Sequence, residues 1–192
     1  GLLGLGHGPS IDAHKDIVRF NTAKMDNPVD IECRETIRYW CMNDASMRTF
    51  YGDTYGTPEM EEDIRSTITA PVLIGYHAHQ VWEQTGEFFG RTQGIHTYRW
   101  NPNGWIGQNV GPRLYGDLRS GLKVVAAVVA SGLTPHLYGF STGSKAGVRR
   151  SHYFDAIMVP SDGFHDILAE EHCIEVMAEK GMVVLHRCSC GR

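Results

Sequence analysis

The sequence predicts a mixed α/β fold with a mostly parallel sheet flanked by helices. Three observations carry that expectation. Short apolar runs of strand length alternate with amphipathic runs of helix length along the chain. PVLIGY at 71–76 is the continuous apolar run of a strand buried on both faces. GLKVVAAVVAS at 121–131 is an apolar helix that stops at a glycine, Gly132, in the position where helices usually end. The 192 residues are 42% hydrophobic and 21% charged, which suits one globular domain over 1–192.

In chain order, residues 2–5 read as a buried strand that breaks into the loop Gly6-His7-Gly8-Pro9-Ser10. Ser10 or Asp12 would cap a short helix over 11–14. Residues 17–20 form a second strand, ending at Asn21. The β-branched and aromatic stretch 29–40 holds another. Residues 58–65 open with a proline followed by acidic residues, a good helix start. Strand 71–76 follows. Residues 77–116 mix aromatics, glycine, asparagine and proline, and are the least regular part of the chain. Helix 120–132 leads to a strand at 135–140. Residues 141–151 are a basic, glycine-rich loop. A helix over 162–180 would be capped by Asp162, with Phe164, Ile167, Leu168, Ile174 and Met177 as its apolar stripe. Gly181 stops it, and residues 182–185 form a last strand. There is no internal repeat, coiled coil or low-complexity segment.

Charge and composition narrow the function classes. Eighteen basic against twenty-two acidic side chains give a formal charge of -4. Sequence-independent nucleic-acid binding needs a surplus of cations, so no nucleic-acid partner is expected. No apolar run approaches the ~20 residues of a membrane helix, so no membrane span is expected in this chain. No signal peptide is visible, and five cysteines form no regular disulfide framework. Ten histidines are many for this length and point to chemistry near neutral pH.

Several local patterns bear on a site. LGHGPSID leaves a strand and enters a helix, where glycines admit close approach and helix amides favour anions. Ser120-Gly121 opens the apolar helix in the same way. Asn21 closes a strand, where it would hydrogen-bond a phosphate or a ribose. His152-Tyr153-Phe154-Asp155 follows the basic loop. His165 precedes Glu170 by five residues. His77-Ala78-His79 has a spacing found in metal hydrolases, although no carboxylate follows at matching spacing. Cys188-Ser189-Cys190 lacks partner cysteines and receives no role at this level.

No single string is specific, but their fixed order resembles the eukaryotic-type sialyltransferases, glycosyltransferase family 29. The family's large motif matches LLGLGHGPSIDAHKDIVRFN. Its small motif matches RSGLKVVAAVVASGLTPHLYGF, its third motif His152 to Asp155, and its very small motif His165 to Glu170. The resemblance covers both ends of the chain and leaves 29–116 loosely matched. The departures are concrete. His7 stands where the family has an asparagine. Ser131 and Gly132 occupy the region of a family cysteine. The chain is shorter than the animal catalytic domains.

The resemblance implies a Rossmann-like sheet of the variant GT-A-like type, with 77–116 as an acceptor-side or lid insertion. It implies an inverting, metal-independent transfer of sialic acid, or a related ulosonic acid such as Kdo, from a CMP-sugar donor to a glycan acceptor. His165 would be the general base and His152 would donate to the departing phosphate. His7, Gly8, Asn21, Ser120, Gly121, Tyr138 and Phe140 would hold the donor, and Glu170 would support them. No metal or other cofactor is expected, in line with the lack of a D-x-D string. Two alternatives stand beside this reading: a zinc-dependent hydrolase built on His77 and His79, and a catalytically inactive nucleotide- or glycan-binding relative. The missing signal, anchor and family disulfide favour the cytoplasm, or the Golgi lumen for a chain cut at its N-terminus.

Overall fold

The computed structural model describes residues 6–20, 27–31, 34–41, 58–59, 62, 72–75, 96–98, 102–112, 114, 118–140, 149–150, 158–159 and 166–186. The chain is mixed α/β, with short parallel strands. Its backbone divides into two compact units. One comprises Gly1–Ile11, Pro28–Ile31 and Asn101–Arg192; the other comprises Asp12–Asn27 and Glu32–Trp100.

The second unit carries a four-stranded parallel sheet in the order β1 (Val18–Phe20), β2 (Ile37–Cys41), β3 (Val72–Gly75), β4 (His96–Tyr98). Pairing runs Val18 to Ile37, Arg38 to Val72 and Leu73 to His96. Thr36 sets the first register: its Oγ1 accepts from the Ile17 amide at 2.7 Å, and the Thr36 and Ile37 amides both donate to the Ile17 carbonyl. Tyr39 is buried in this unit, its ring 5.9 Å from that of Phe20. Arg38 is also buried, and its Nε donates to Glu35 Oε2 at 2.6 Å. Removing either partner would strand a charge away from water. Arg34 ties down the loop before β1, donating to the carbonyls of Asp12, His14 and Lys15.

The first unit opens with α1 (Gly8–Asp12), which starts earlier than the sequence suggests. Pro9 explains the shift, because its fixed φ and missing N–H suit a first helical turn. Ser10 therefore lies inside the helix and is not its cap. Next comes α2 (Asn103–Asn109), in a stretch whose glycines and asparagines disguise a helix. Its Ile106 is fully buried, and it packs against α3 (Ser120–Ala130). The ammonium of Lys180 donates to the carbonyls of Asn109 and Val110, closing the carboxyl end of α2.

Helix α3 contains many valines, which lowers its intrinsic propensity. Burial of Leu122, Val124, Val125 and Ala126 compensates. It stops as expected at Gly132, whose φ is 81°. The Gly132 amide returns to the Val129 carbonyl and the Leu133 amide to Val128, a Schellman closure. α4 (Ile167–Glu179) ends identically at Gly181 (φ 69°), with the Met182 amide on the Met177 carbonyl. Its cap is Asp166, which accepts from the Ala169 amide at 3.1 Å, and not Asp162. Leu168 is 69% exposed, and the buried apolar side chains of α4 among the described residues include Cys173, Ile174 and Met177, with Glu170 and Glu171 buried beside them; Phe164 and the Ile167 side chain lie outside the described residues.

Each glycine-terminated helix feeds a strand. β5 (His136–Tyr138) follows α3 and β8 (Val184–His186) follows α4, and the two pair in parallel. β6 (Arg149–Arg150) and β7 (Met158–Val159) form a small antiparallel pair. The described strands thus form three sheets, where the sequence reading had one mostly parallel sheet. The stretch 77–116, read as irregular, contains β4 and α2. In 29–40 the described strand begins at Ile37, and Pro28–Ile31 is a turn. No helix among the described residues is long and apolar enough to cross a membrane.

Candidate functional site

Four sequence-distant pieces of the first unit meet through direct contacts. The first is the loop before α1. Gly6 takes a φ of 63°, open to glycine at little cost, and its amide donates to Asp30 Oδ1 at 2.8 Å. The Gly8 amide donates to the Val29 carbonyl at 2.9 Å, and a Cβ at Gly8 would overlap the Pro28 carbonyl oxygen. These bonds hold the loop on the turn Pro28–Ile31 and leave the His7 ring beside Tyr138, 5.5 Å between centroids in an edge-to-face arrangement.

The second piece is the face of β5 and β8 that carries His136, Tyr138 and His186. Leu137 is buried, so its neighbours project to the opposite face. Tyr138 and His186 are paired in register, and their rings stack at 4.0 Å and 9°. His136 stacks on His186 at 5.1 Å, with its Nδ1 2.9 Å from His186 Nε2. Burial pushes the Tyr138 phenol above its usual pKa, so it remains a neutral donor at physiological pH.

The third piece is the head of α3. Its N-cap is Arg119, in extended conformation with no side-chain cap bond, so Ser120 is the first helical residue and not the cap. The amides of the first turn have no carbonyl one turn earlier to bond. Phe140, two residues past β5, lies against this turn: a Cβ at Gly121 would come within 2.9 Å of its ring.

Glu170 of α4 is the fourth. It is 1% exposed; Oε1 accepts the Arg119 backbone amide at 2.9 Å and Oε2 accepts Arg119 Nε at 2.7 Å. The carboxylate therefore fixes the residue that introduces α3 and neutralises its guanidinium. One turn further along α4, Cys173 is buried, and desolvation together with the Glu170 charge pushes its thiol up to about 12.

Three contacts thus join these pieces: His7 with Tyr138, Phe140 with the turn at Gly121, and Arg119 with Glu170, Tyr138 and Phe140 being linked to each other along the chain two residues apart. No protein-family model matches this chain, and no curated protein matches its sequence.

Of the residues singled out from sequence, His7, Ser120, Gly121, Tyr138, Phe140 and Glu170 make these contacts or lie beside them. Gly8 is corrected. Its amide is engaged by Val29, so the residue serves close backbone packing and does not present an N–H to a ligand. Asn21, His152, His165, His77 and His79 lie outside the described residues. Sequence reasoning missed His136, His186, Asp30 and Arg119. The strand alternation around Leu137 was the available signal for His136. The others depend on contacts between segments far apart in the chain. Among the described residues, no group of three or more histidines, cysteines or carboxylates gathers as a metal site.

Chemically, these pieces offer first-turn amides for an anion, an uncharged phenol, imidazole donors and flat ring faces for a base. Arg119, the strong cation beside them, is already paired with Glu170.

Proposed function

We propose that the chain is an inverting, metal-independent glycosyltransferase, moving sialic acid or a related ulosonic acid such as Kdo from CMP to a glycan hydroxyl. A Rossmann-like, variant GT-A-like arrangement belongs to the same proposal. The observation that carries it is the set of contacts His7 with Tyr138, Phe140 with Gly121, and Arg119 with Glu170. They join pieces of three of the four motifs that resemble glycosyltransferase family 29, though up to 163 residues separate His7 from Glu170.

The donor carries two anionic groups, a phosphodiester and a sugar carboxylate. The first turn of α3, at Ser120 and Gly121, would take one of them. His7, Tyr138 and Phe140 would contact the nucleoside through ring faces and a phenolic donor. Asn21 would hydrogen-bond the phosphate or ribose. The acceptor hydroxyl attacks the anomeric carbon opposite CMP, through an oxocarbenium-like transition state. His165 would remove the hydroxyl proton, a task suited to an imidazole that ordinarily titrates near 6.5. His152 would donate to the phosphate as charge grows on it. CMP leaves as a phosphate monoester, so amide and imidazole donors suffice and no step requires a divalent ion. Glu170 positions Arg119 and thereby the head of α3.

The experiment is a transfer and donor-hydrolysis assay with CMP-sialic acid and CMP-Kdo. Turnover with either is expected, and His165→Ala should lower it at least ~100-fold while CMP still binds. CMP binding without transfer or hydrolysis would mark an inactive relative. Full turnover in His165→Ala would remove that residue from the mechanism.

A further inference from the structure

His186 belongs to none of the motif strings, and the proposed transfer gives it no task. It ends β8 as Tyr138 ends β5, and the two are register partners in the parallel pair. Both therefore stand at the carboxyl edge of their strands, the edge beyond which parallel sheets of α/β proteins bind ligands. A third ring, His7, reaches the same edge from the loop before α1.

The three rings meet pairwise. Tyr138 and His186 stack at 4.0 Å between centroids, with 9° between their planes. His7 stands edge-on to both, 5.5 Å from Tyr138 and 6.3 Å from His186. One imidazole thus bears on both rings that would receive the nucleoside. His186 is itself held: its Nε2 lies 2.9 Å from His136 Nδ1, a hydrogen bond that limits rotation of the ring. That bond engages Nε2 with a neighbouring side chain, and Tyr138 covers one face of the ring. These contacts suit a residue that orders its neighbours. Without such support, Tyr138 and His7 would have to be ordered by the ligand, at the expense of affinity.

We propose that His186 is a positioning residue of the nucleotide seat. Its ring holds Tyr138 and His7 in the orientation that receives the nucleoside, and it acts through those two rings without touching the ligand. The proposal rests on the reading of this edge as a seat for CMP. Its physical content is a flat ring at 186.

The test uses the full chain labelled with 3-fluorotyrosine, with the Tyr138 resonance assigned by its loss in Tyr138→Phe, together with CMP titration by calorimetry. In the ligand-free protein, His186→Ala should move the Tyr138 fluorine resonance towards that of free fluorotyrosine, because the stacked ring is gone. His186→Phe keeps a flat ring and should leave the resonance displaced. One oriented aromatic contact is worth about 2- to 10-fold, and two are lost, so CMP should bind His186→Ala at least ~4-fold more weakly. His186→Phe should bind nearly as the parent does. His186 is half-buried, so His186→Leu, which keeps bulk without a flat face, serves as a second variant and should show the same two losses. A Tyr138 resonance unmoved in His186→Ala and His186→Leu, or parental CMP affinity in both, would overturn the role of His186 and leave the seat standing. Equal weakening in His186→Phe and His186→Ala would also overturn it, because the nitrogens and not the ring would then matter. No CMP binding by the parent would overturn the seat itself, whatever the fluorine spectra show.

Discussion

Glu170 grips Arg119 twice, at the backbone amide and at Nε, across 51 residues of sequence. The same carboxylate is almost fully buried, while the Arg119 side chain is about a third exposed. The pair therefore does more than pair charges. It sets the dihedral angles of the N-cap residue of α3, and with them the direction in which the first-turn amides point.

Glu170→Ala leaves a buried amide and a guanidinium without their acceptor. Breaking a fully buried pair costs about 3–5 kcal/mol. Solvent around Arg119 reduces this, so a loss of about 2–3 kcal/mol is expected in urea unfolding. Glu170→Gln retains the volume and one acceptor oxygen and should cost less. An unchanged midpoint in Glu170→Ala would mean that the contact contributes nothing to the fold.

Gly121→Ala sets two effects against each other. Alanine favours a helix over glycine by ~1 kcal/mol. The added Cβ would, however, come within 2.9 Å of the Phe140 ring. Overpacking of this kind costs about 1–3 kcal/mol. The variant should therefore be destabilised, and adding Phe140→Leu should relieve it. A double-mutant cycle reads the coupling; independent effects of the two substitutions would remove Phe140 from the head of α3.

Cys173 should be inert in the native protein. Its thiol is pushed up to about 12 by burial and by Glu170, and only the thiolate reacts. Thiol labelling at pH 8 should modify the same number of groups in parent and Cys173→Ala, and one more in the unfolded parent than in the unfolded variant. The raised value also fixes a sign. Below pH 9, the ordinary value, the group contributes its full stabilisation. As pH rises from 9 towards 12 the unfolded thiol ionises and the folded one does not, so stability falls. Rapid native labelling at Cys173 would contradict its placement.

The legible parts of the fold were those written in local chemistry. Gly132 and Gly181 mark helix ends because only glycine takes positive φ there without strain, and both close as Schellman turns. PVLIGY reads as a strand because it is apolar throughout. Helix α2 was hidden because its glycines and asparagines have low propensity, and its stability comes from buried Ile106 and from Lys180, which is distant in sequence. Ser120 was legible as the start of α3, but that Arg119 before it is held by Glu170 depends on a contact across 51 residues. In the site, Tyr138 and Phe140 were readable from their string. His136 and His186 were not, because their relation exists only in the pairing of β5 with β8.

The central claim is that the ring faces and amides between His7 and the head of α3 form a seat for a cytidine monophosphate. Thermal unfolding with saturating CMP, UMP or GDP tests it most directly. At a hundredfold excess over Kd, binding to the native state adds about 2.7 kcal/mol. For a chain of this length that is a rise in Tm of about 5–10 °C. The account predicts such a rise for CMP, little for UMP or GDP, and its loss in Tyr138→Ala. No response to CMP, or the same response to all three nucleotides, would contradict it.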